Sequence, residues 1–534
     1  MKKLVLISII LLASFLRLYK LGSTPPSLYW DEASLGYNAY SILKTARDEH
    51  AKFLPLTNFA AFGDYKPPGY IYAAVPSVAI FGLTEFAVRL PSAFFGISTV
   101  IICYLLVKKL FQNEAIAIIA SLFLAISPWH LQFSRGAFEG NLGLFFSVLG
   151  VYLFVKFATE KPIYLILSVL SFLLAMYTFT GQRLFVPFIL IILFFQFKKQ
   201  IISNLKIITI CSIAFLILFW PLFKFAAFTI EGKSRFDEVT IFKDLKPIDD
   251  SISFRQKDHF SWWANIIHNR RVFFAYEYLT HYFDAFNPSF LFARGDVNPR
   301  LSIQDIGELY YYDLPLILAG IYFLFSKKEK FRFLILGWLL ISPLGPATAR
   351  ETPHALRMIH ILPTFQILSA YGIYNLYRII KIKRLLIGAS TLFLIFSLSY
   401  YLHIYYQHWP QNYSGEWQYG YKQAVEIVKL QYDEVDQIIV TRNLGRPYIY
   451  FLFYMYYDPK NYFESSKIEK DRFFFIDVKK FGKFTFSDNP QDVQVSGKIL
   501  YVTSYGQLPP EAQRINIVED LAKKPVFEIG RLNK

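Results

Sequence analysis

Apolar runs of about 20 residues recur along this chain, and they constrain its fold more than any other feature, because that length matches a helix that crosses a bilayer. Hydrophobic residues make up 54% of the 534 residues, and charged residues make up only 18%. This balance excludes an ordinary soluble enzyme. It predicts an α-helical polytopic membrane protein that has membrane lipids as neighbours.

The charge pattern argues against binding to nucleic acid. The formal net charge is +16, but the lysines and arginines occur as short clusters between apolar runs, which is typical of cytoplasmic loops. We therefore exclude nucleic acid as a partner. Cys103 and Cys211 both lie within apolar runs, so neither a disulfide framework nor a cysteine metal site is indicated.

Six basic clusters predict the topology. They are MKK at the start, KKLFQNE (108–114), ATEKP (158–162), QFKKQIISNLK (196–206), SKKEKFR (326–332) and YRIIKIKR (377–384). If all six are cytoplasmic, an even number of helices crosses between neighbouring clusters. Three apolar runs, roughly 4–22, 68–83 and 86–107, separate the first two clusters. The middle run is proline-rich and short of a span, so we predict an interfacial helix there and about eleven spans overall.

This topology leaves six segments outside the cytoplasm: 23–66, 127–139, 179–183, 229–309, 347–356 and everything after about 403. The last of these contains short β-like runs, QIIVT, RFFFIDV, KILYVTS and PVFEIG, and the amphipathic stretch YKQAVEIVKLQYDEV. We therefore predict two parts, a transmembrane catalytic module of residues 1–403 and an extracytoplasmic α/β domain of residues 404–534.

Acidic and basic side chains meet at one predicted membrane boundary. The external loop 23–66 carries the adjacent carboxylates Asp31 and Glu32 near its start and Asp64 and Lys66 at its end. Ionisable groups at such a boundary are costly, and a functional role is the default interpretation. Transfer of a sugar from a lipid-linked phosphate fits them, with a carboxylate as general base and cations that stabilise the leaving phosphate.

Three stretches carry a resemblance to a known family. They are FLRLYKLGSTPPSLYWDEASLGYNAY, GDYKPPGYIYAAVPSVAIFGLTEFAVRLPSAFFG and ISPWHLQFSRGAFEGNL. They resemble the GT-C superfamily of membrane glycosyltransferases, in the branch of glycosyltransferase family 39, which is akin to protein O-mannosyltransferases and aminoarabinose lipid A transferases. The resemblance is specific over residues 10–190 and looser to about 400. It does not cover the C-terminal domain.

The resemblance implies roles for several residues. Asp31 corresponds to the proposed catalytic base of the first external loop, with Glu32 beside it. Lys66, followed by Pro67 and Pro68, corresponds to the lysine that is associated with the donor phosphate. Glu139 corresponds to an acidic residue of the second external loop, where relatives often have aspartate.

Two further external helix ends carry arginines, and arginine suits phosphate because its planar fork donates two hydrogen bonds. We predict that Arg357 or Arg183 contacts the donor phosphate. His354, close to Arg357, and Arg135, in the second external loop, are weaker candidates for binding or orienting the acceptor.

Structural interpretations compete with these roles. Asp31 and Glu32 could cap a helix, because acidic residues favour helix N-termini. Lys66 could extend from an interfacial helix towards the polar surface, and Arg135 and Glu139, four apart, could form an ion pair on a helix. The aromatic stretch GEWQYGYKQAV (415–425) is interpreted as a domain-docking segment in preference to an acceptor-recognition motif.

The predicted function is an inverting glycosyltransferase that moves a sugar from a polyprenyl-phosphate donor to a protein, lipid or glycan acceptor outside the membrane. The alternative is a transporter or flippase of lipid-linked saccharides, since many spans with intramembrane charges suit it as well. A divalent cation is left open as a cofactor, although the sequence has no clear ligand cluster. We expect a multi-pass plasma-membrane protein with a cytoplasmic N-terminus.

Overall fold

The structure is a computed structural model that describes residues 2–470 and 476–533, apart from the side chains of residues 234, 235 and 386. It is mostly helical and has a sheet in its C-terminal region. The helices in chain order are α1 (Lys2–Leu18), α2 (Trp30–Thr45), α3 (Pro68–Phe81), α4 (Glu85–Phe111), α5 (Glu114–Ile126), α6 (Pro128–Arg135), α7 (Glu139–Thr159), α8 (Ile163–Thr178), α9 (Gln182–Gln196), α10 (Lys198–Ser203), α11 (Leu205–Phe228), α12 (Ile230–Val239), α13 (Lys246–Lys257), α14 (Trp262–Ile267), α15 (Arg270–Asp284), α16 (Asp313–Ser326), α17 (Arg332–Ile341), α18 (Ala355–Met358), α19 (Thr364–Ile379), α20 (Lys383–His403), α21 (Trp409–Asn412), α22 (Tyr421–Gln431), α23 (Pro447–Tyr454) and α24 (Pro459–Ser465).

The strands form a small hairpin and one larger sheet. They are β1 (Phe59–Ala61), β2 (Asp64–Lys66), β3 (Gln437–Thr441), β4 (Lys467–Lys470), β5 (Ile476–Phe481), β6 (Phe484–Ser487), β7 (Lys498–Ser504), β8 (Gln513–Glu519) and β9 (Pro525–Asn533). β1 and β2 pair antiparallel. The other seven form a sheet in the order β4-β5-β6-β3-β7-β9-β8, in which β3 runs parallel to both β6 and β7. Ile439, Ile499 and Tyr501 form a buried cluster in this sheet.

The C-terminal region contains a sheet, as predicted. QIIVT forms β3, KILYVTS forms β7, PVFEIG lies within β9, and the amphipathic stretch forms α22. The last three residues of RFFFIDV begin β5, and residues 472–475 of that run lie outside the described residues. The domain boundary between residues 403 and 404 stays a prediction.

Four helices among the described residues are long and apolar enough to cross a membrane. They are Glu85–Phe111, Glu139–Thr159, Leu205–Phe228 and Lys383–Asn412, and the bent pair α5 and α6, with 56° between its two helices, would add a fifth. Several other apolar helices are shorter, among them α3, α8, α9 and α16. The fold is therefore that of a helical membrane protein, and the number of about eleven spans stays a prediction. The run 68–83 does form a helix, α3, whose interfacial position also stays a prediction.

The chain forms two compact units. The first unit contains Met1–Leu16, Phe95–Phe133 and Glu139–Tyr401, and the second contains Arg17–Phe94, Ser134–Phe138 and Leu402–Lys534.

Close helix packing characterises the first unit. α16 and α19 meet at Gly320 and Gly372, where an added Cβ would clash with the backbone carbonyls of Leu368 and Leu316. Small residues of this kind let two helix backbones approach closely.

The second unit joins the loop 23–66 to the C-terminal sheet region. α2 packs against α3 and α23. A Cβ at Gly36 of α2 would lie 2.5 Å from Val88 and 2.6 Å from Phe453, so glycine is needed there. The loop that carries Asp31 is therefore packed tightly against residues far along the sequence.

Candidate active site

Asp31 and Glu32 lie in the first turn of α2, which begins at Trp30. This position agrees with the helix-capping interpretation, because carboxylates at a helix N-terminus are stabilised by the helix dipole. The residue that precedes the helix, Tyr29, makes no side-chain capping hydrogen bond. Each carboxylate also has its own cation partner, which capping alone does not explain.

Asp31 pairs with Lys66 at the end of the β1–β2 hairpin. Lys66 Nζ lies 3.2 Å from Asp31 Oδ1 and 2.9 Å from Asp64 Oδ2. The three side chains are 15–25% exposed, so solvent or a ligand can reach them. Two carboxylates and one ammonium thus form a partly open cluster with a net charge of −1, in which one group can accept a proton and another can bind an anion.

The hairpin fixes the position of Lys66. Asp64 and Lys66 are the first and last residues of β2, and their partners in β1 are Ala61 and Phe59. Pro67 follows in an extended conformation, and α3 begins directly after it. Because Pro67 has a fixed φ and α3 begins directly after it, the backbone of Lys66 has little conformational freedom.

Glu32 faces away from this cluster into the protein. Its carboxylate accepts hydrogen bonds from Arg89 Nε at 3.0 Å and Arg89 Nη2 at 2.8 Å, and both side chains are fully buried. Glu32 Oε1 also accepts the Ala137 backbone N–H at 2.7 Å. A buried, two-point carboxylate–guanidinium pair has the geometry of a structural support.

Arg135 is also buried, and its N–H groups donate hydrogen bonds to backbone carbonyls and to a tyrosine hydroxyl. Its Nη2 donates to the carbonyls of Tyr19 at 2.8 Å and Thr24 at 3.0 Å, and its Nε donates to the Tyr405 hydroxyl at 3.1 Å. The guanidinium lies 5.2 Å from the ring centroids of Tyr405 and Tyr406. These contacts fasten the segment 134–138 within the second unit.

The aromatic stretch 415–425 is packed against the start of α2. Trp417 is fully buried, and its ring lies 5.7 Å from the Arg89 guanidinium. Gln418 Oε1 accepts the Trp30 backbone N–H at 3.0 Å and also the Tyr450 hydroxyl. These contacts agree with the docking interpretation of this stretch.

A second buried polar cluster lies on α2 and the loop that follows it. Glu49 is fully buried, and burial raises its pKa to about 8, whereas burial lowers the pKa of His50 to about 4. Burial thus favours the neutral form of both groups, although His50 Nε2 lies 3.7 Å from Glu49 Oε1. The backbone N–H of Glu49 donates to Asn38 Oδ1 at 3.0 Å, which ties the loop to α2.

The other predicted site residues belong to the first unit. Glu139 is the first residue of α7 and is buried. Arg183 lies in the first turn of α9, where its Nε donates to the Met176 carbonyl at 3.4 Å. Arg357 donates to the Glu351 carbonyl at 3.1 Å, and its backbone N–H donates to His354 Nδ1 at 3.4 Å. Their catalytic and binding roles stay predictions.

Asp296, which the sequence interpretation missed, fixes the segment that carries His354 and Arg357. Its Oδ2 accepts the backbone N–H of Ala355 at 2.6 Å, while the Trp129 indole donates to the Ala355 carbonyl at 3.1 Å. Asp296 is buried, and burial raises its pKa to about 6. The unusually polar short loop around Asp296 was the signal available in the sequence. No sequence pattern, however, predicts that residue 296 contacts residue 355.

A metal site does not fit the charged cluster. Among residues 2–470 and 476–533, no three His, Cys, Asp or Glu side chains converge as metal ligands. The Lys66 ammonium already bridges Asp31 and Asp64, where a cation between two carboxylates would have to sit. The Lys66 ammonium is therefore the positive partner of the Asp31 and Asp64 carboxylates.

The sequence has relatives among mannosyltransferases. Residues 7–230 match the family model of dolichyl-phosphate-mannose-protein mannosyltransferases. The Bacillus subtilis protein named "Putative mannosyltransferase YkcB" is 27% identical over 228 residues, which are 41% of this chain and 30% of YkcB. The match thus spans less than a third of that relative.

The fold has relatives among solved structures. ArnT from Cupriavidus metallidurans aligns with a TM-score of 0.55 at 11% identity, over 98% of this chain and 96% of ArnT. The oligosaccharyltransferase AglB from Archaeoglobus fulgidus aligns with a TM-score of 0.51 at 14% identity, over 85% of this chain and 63% of AglB. These matches support the resemblance, and the chain has the fold that ArnT and AglB share.

Proposed function

We propose that this protein is an inverting glycosyltransferase that uses a polyprenyl-phosphate-linked sugar outside the cytoplasm. The observation that carries the proposal is the position of Lys66 Nζ between Asp31 and Asp64, 3.2 Å and 2.9 Å away, in a cluster that is partly exposed. A proton acceptor and an anion-binding cation side by side are the two groups that attack on a sugar phosphate requires.

In the proposed step, the acceptor nucleophile attacks the anomeric carbon of the donor sugar. The bond between that carbon and the phosphate oxygen breaks, and its electron pair leaves with the polyprenyl phosphate. Asp31 takes the proton of the nucleophile, and Lys66 stabilises the charge that grows on the phosphate. A phosphate needs no general acid to leave, so one base is enough, and the configuration at carbon inverts.

Two relatives with this fold support a lipid-phosphate donor. One ArnT structure is described as bound to undecaprenyl phosphate, and one AglB structure as a complex with an inhibitory peptide and a dolichol-phosphate. By analogy, we propose a polyprenyl phosphate as the carrier here.

The remaining site residues take proposed roles of two kinds. We propose that Glu32 positions α2 through Arg89 and does not touch the substrate, because both side chains are fully buried. Glu139 remains the proposed orienting carboxylate, Arg183 and Arg357 remain proposed phosphate ligands, and Arg135 and His354 remain weaker candidates. We also propose a plasma-membrane location, with the N-terminus in the cytoplasm and Asp31 on the opposite side.

The test uses purified full-length protein in nanodiscs with radiolabelled polyprenyl-phosphate sugars and a membrane extract as the source of acceptor. Asp31→Asn should lower the transfer rate by a factor of about 10² to 10⁴, because it removes the general base. Asp433→Asn, at an exposed aspartate of the second unit, should leave the rate unchanged.

Equal transfer by the native protein and Asp31→Asn would show that Asp31 is not the base. If the native protein moves the labelled donor across a liposome membrane but never transfers the sugar, the transporter interpretation replaces the proposed function.

A further inference from the structure

Two exposed histidines meet in the second unit, where α20 ends. His403 is the last residue of α20, and His408 lies five positions later. Their Nε2 atoms are 3.0 Å apart, and the two ring planes are inclined by 74° with centroids 4.9 Å apart. The rings therefore meet through their nitrogen atoms and do not stack.

A π-helical turn brings these two histidines together. Residues five apart point about 140° away from each other around an α-helix, so a regular α-helix would separate the two rings. Residues Ile404–His408 instead form a π-helical turn, in which the Trp409 backbone N–H donates to the Ile404 carbonyl. Pro410 follows and has no N–H to donate, which favours an irregular turn at this point. Single π-helical turns are rare, and they occur frequently at functional sites.

The distance between the two nitrogens fits a shared metal ion. An imidazole nitrogen binds Zn²⁺ at about 2.0–2.1 Å. Two such nitrogens on one ion lie about 2.9 Å apart when the bond angle is about 90°, and about 3.3 Å apart at the tetrahedral angle. The observed separation of 3.0 Å lies within this range. Both side chains can therefore bind one ion with little movement of either ring.

The chemistry of the pair selects a class of ion. Imidazole suits zinc and copper, whereas Mg²⁺ and Ca²⁺ prefer oxygen ligands. Both histidines are exposed, so an ion from solution has an open path to them. The pair is therefore suited to a divalent transition metal.

The other side of the π-helical turn belongs to the packing around Arg135. Tyr405 and Trp409 are buried, and their rings stack with centroids 5.1 Å apart. The Tyr405 hydroxyl accepts a hydrogen bond from Arg135 Nε at 3.1 Å. An ion that holds His403 and His408 together would therefore also stabilise the turn that presents Tyr405 to Arg135.

We propose that His403 and His408 form a binding site for one divalent ion of the zinc and copper class, with water as the further ligands. The ion links the residue before the π-helical turn to the last residue of that turn. It stabilises the second unit, because a ligand that binds only the folded state raises stability. Neither histidine belongs to the cluster of Asp31, Asp64 and Lys66, so this inference does not depend on the proposed function.

The first experiment titrates Zn²⁺ and Cu²⁺ into the full-length protein in nanodiscs, purified without a histidine tag, and measures binding by calorimetry. Three variants form a matched set, His403→Asn, His408→Asn and His259→Asn, the last at an exposed histidine elsewhere in the chain. Native protein and His259→Asn should bind one ion with equal affinity. His403→Asn and His408→Asn should each bind it at least tenfold more weakly, and an excess of Mg²⁺ should not compete.

Electron paramagnetic resonance of bound Cu²⁺ adds a test on the native protein. With one equivalent of Cu²⁺, the spectrum should show coupling to two ligand nitrogens. His403→Asn and His408→Asn should each lose this two-nitrogen pattern, and His259→Asn should retain it. A native spectrum without coupling to two nitrogens overturns the proposal, whatever the folding of the variants.

Thermal unfolding tests the stabilising effect. Zn²⁺ should raise the melting temperature of the native protein and of His259→Asn, and it should leave those of His403→Asn and His408→Asn unchanged. If neither ion binds saturably, or if His403→Asn binds as well as native protein, the proposal is overturned. The 3.0 Å contact is then an N–H···N hydrogen bond between two rings. Binding that leaves the native melting temperature unchanged would overturn the stabilising role.

Discussion

Glu32 and Arg89 form a two-point ion pair in which neither side chain is exposed. The remaining donors of Arg89 bond to backbone carbonyls of Leu21, Pro25 and Ser27 at 2.5–3.3 Å. The pair therefore fastens the chain before α2 to the first turn of α2. Asp31 precedes Glu32 directly, so this buried pair determines where the proposed base lies.

Removal of one partner of this pair should destabilise the protein strongly. Glu32→Gln leaves the Arg89 charge buried without its counter-ion, at an expected cost of about 3–5 kcal/mol. The melting temperature in detergent measures this effect. Glu434→Gln, which breaks an exposed pair with Arg531, should cost less than about 1 kcal/mol. A Glu32→Gln protein that melts normally but transfers no sugar would instead support a catalytic role for Glu32.

Substitution of Lys66 should weaken donor binding. Lys66→Met removes the cation from the cluster and should raise the KM for the donor about 10- to 100-fold, as expected for loss of a charged hydrogen bond. Lys66→Arg keeps the charge and should recover part of the affinity. Initial rates over a range of donor concentrations provide the measurement, and the exposed Lys460→Met is the control. An unchanged KM in Lys66→Met would exclude a phosphate contact.

Glu49 should make stability fall as the pH rises. Its pKa is raised from the usual 4.5 to about 8 by burial, so between these values the folded protein holds a proton that the unfolded chain has lost. The free energy of unfolding then decreases by up to about 1.4 kcal/mol per pH unit in this window. Below pH 4.5 both states are protonated, and the effect disappears.

Melting curves of Glu49→Gln and the native protein between pH 5 and pH 8.5 test this prediction. Relative to the native protein, the variant should gain stability as the pH rises, because glutamine cannot ionise. Parallel pH profiles of the two proteins would mean that Glu49 ionises in the folded state as it does in water.

Gly445→Ala should disturb the start of α2. Gly445 has φ +112°, which disfavours any side chain, and an added Cβ would lie 2.8 Å from the Trp30 ring. We expect a loss of about 1–3 kcal/mol and lower transfer activity, because Trp30 adjoins Asp31. Gly415→Ala, where an added Cβ meets only open space, is the matched control. Melting temperature and activity are measured together, and two variants that behave alike would contradict the prediction.

Local sequence features predicted Asp31 as the base and Lys66 as its cation. They did not predict the buried residues that hold these two in position. The sequence predicts that the two ends of the loop 23–66 meet at one boundary, and Lys66 does lie 3.2 Å from Asp31. Arg89 was missed, although a lone arginine at the start of an apolar run is a signal of a buried partner. Its partner lies 57 positions earlier, and no spacing rule connects residues that far apart.

Helix existence was easier to predict than helix length. Alternating and periodic patterns in the last 115 residues correspond to β3, β7, β9 and α22. Most apolar runs became helices, yet several of these helices are shorter than a span, and two of the short ones, α8 and α9, begin directly after Pro162 and Gly181. Hydropathy measures how apolar a run is, whereas tertiary packing decides where its helix ends.

The pairing of the first loop with the last quarter of the chain has a consequence for biosynthesis. The backbone N–H of Trp30 donates a hydrogen bond to Gln418, which lies 388 positions later. The Tyr37 hydroxyl donates one to the carbonyl of Tyr457, 420 positions later. At about 5–20 residues per second, translation takes roughly 20–80 seconds to cover the shorter interval. A nascent chain therefore holds α2 for that time without its packing partner α23. A ribosome-bound chain should acquire its proposed base in working position only after the sheet region has emerged.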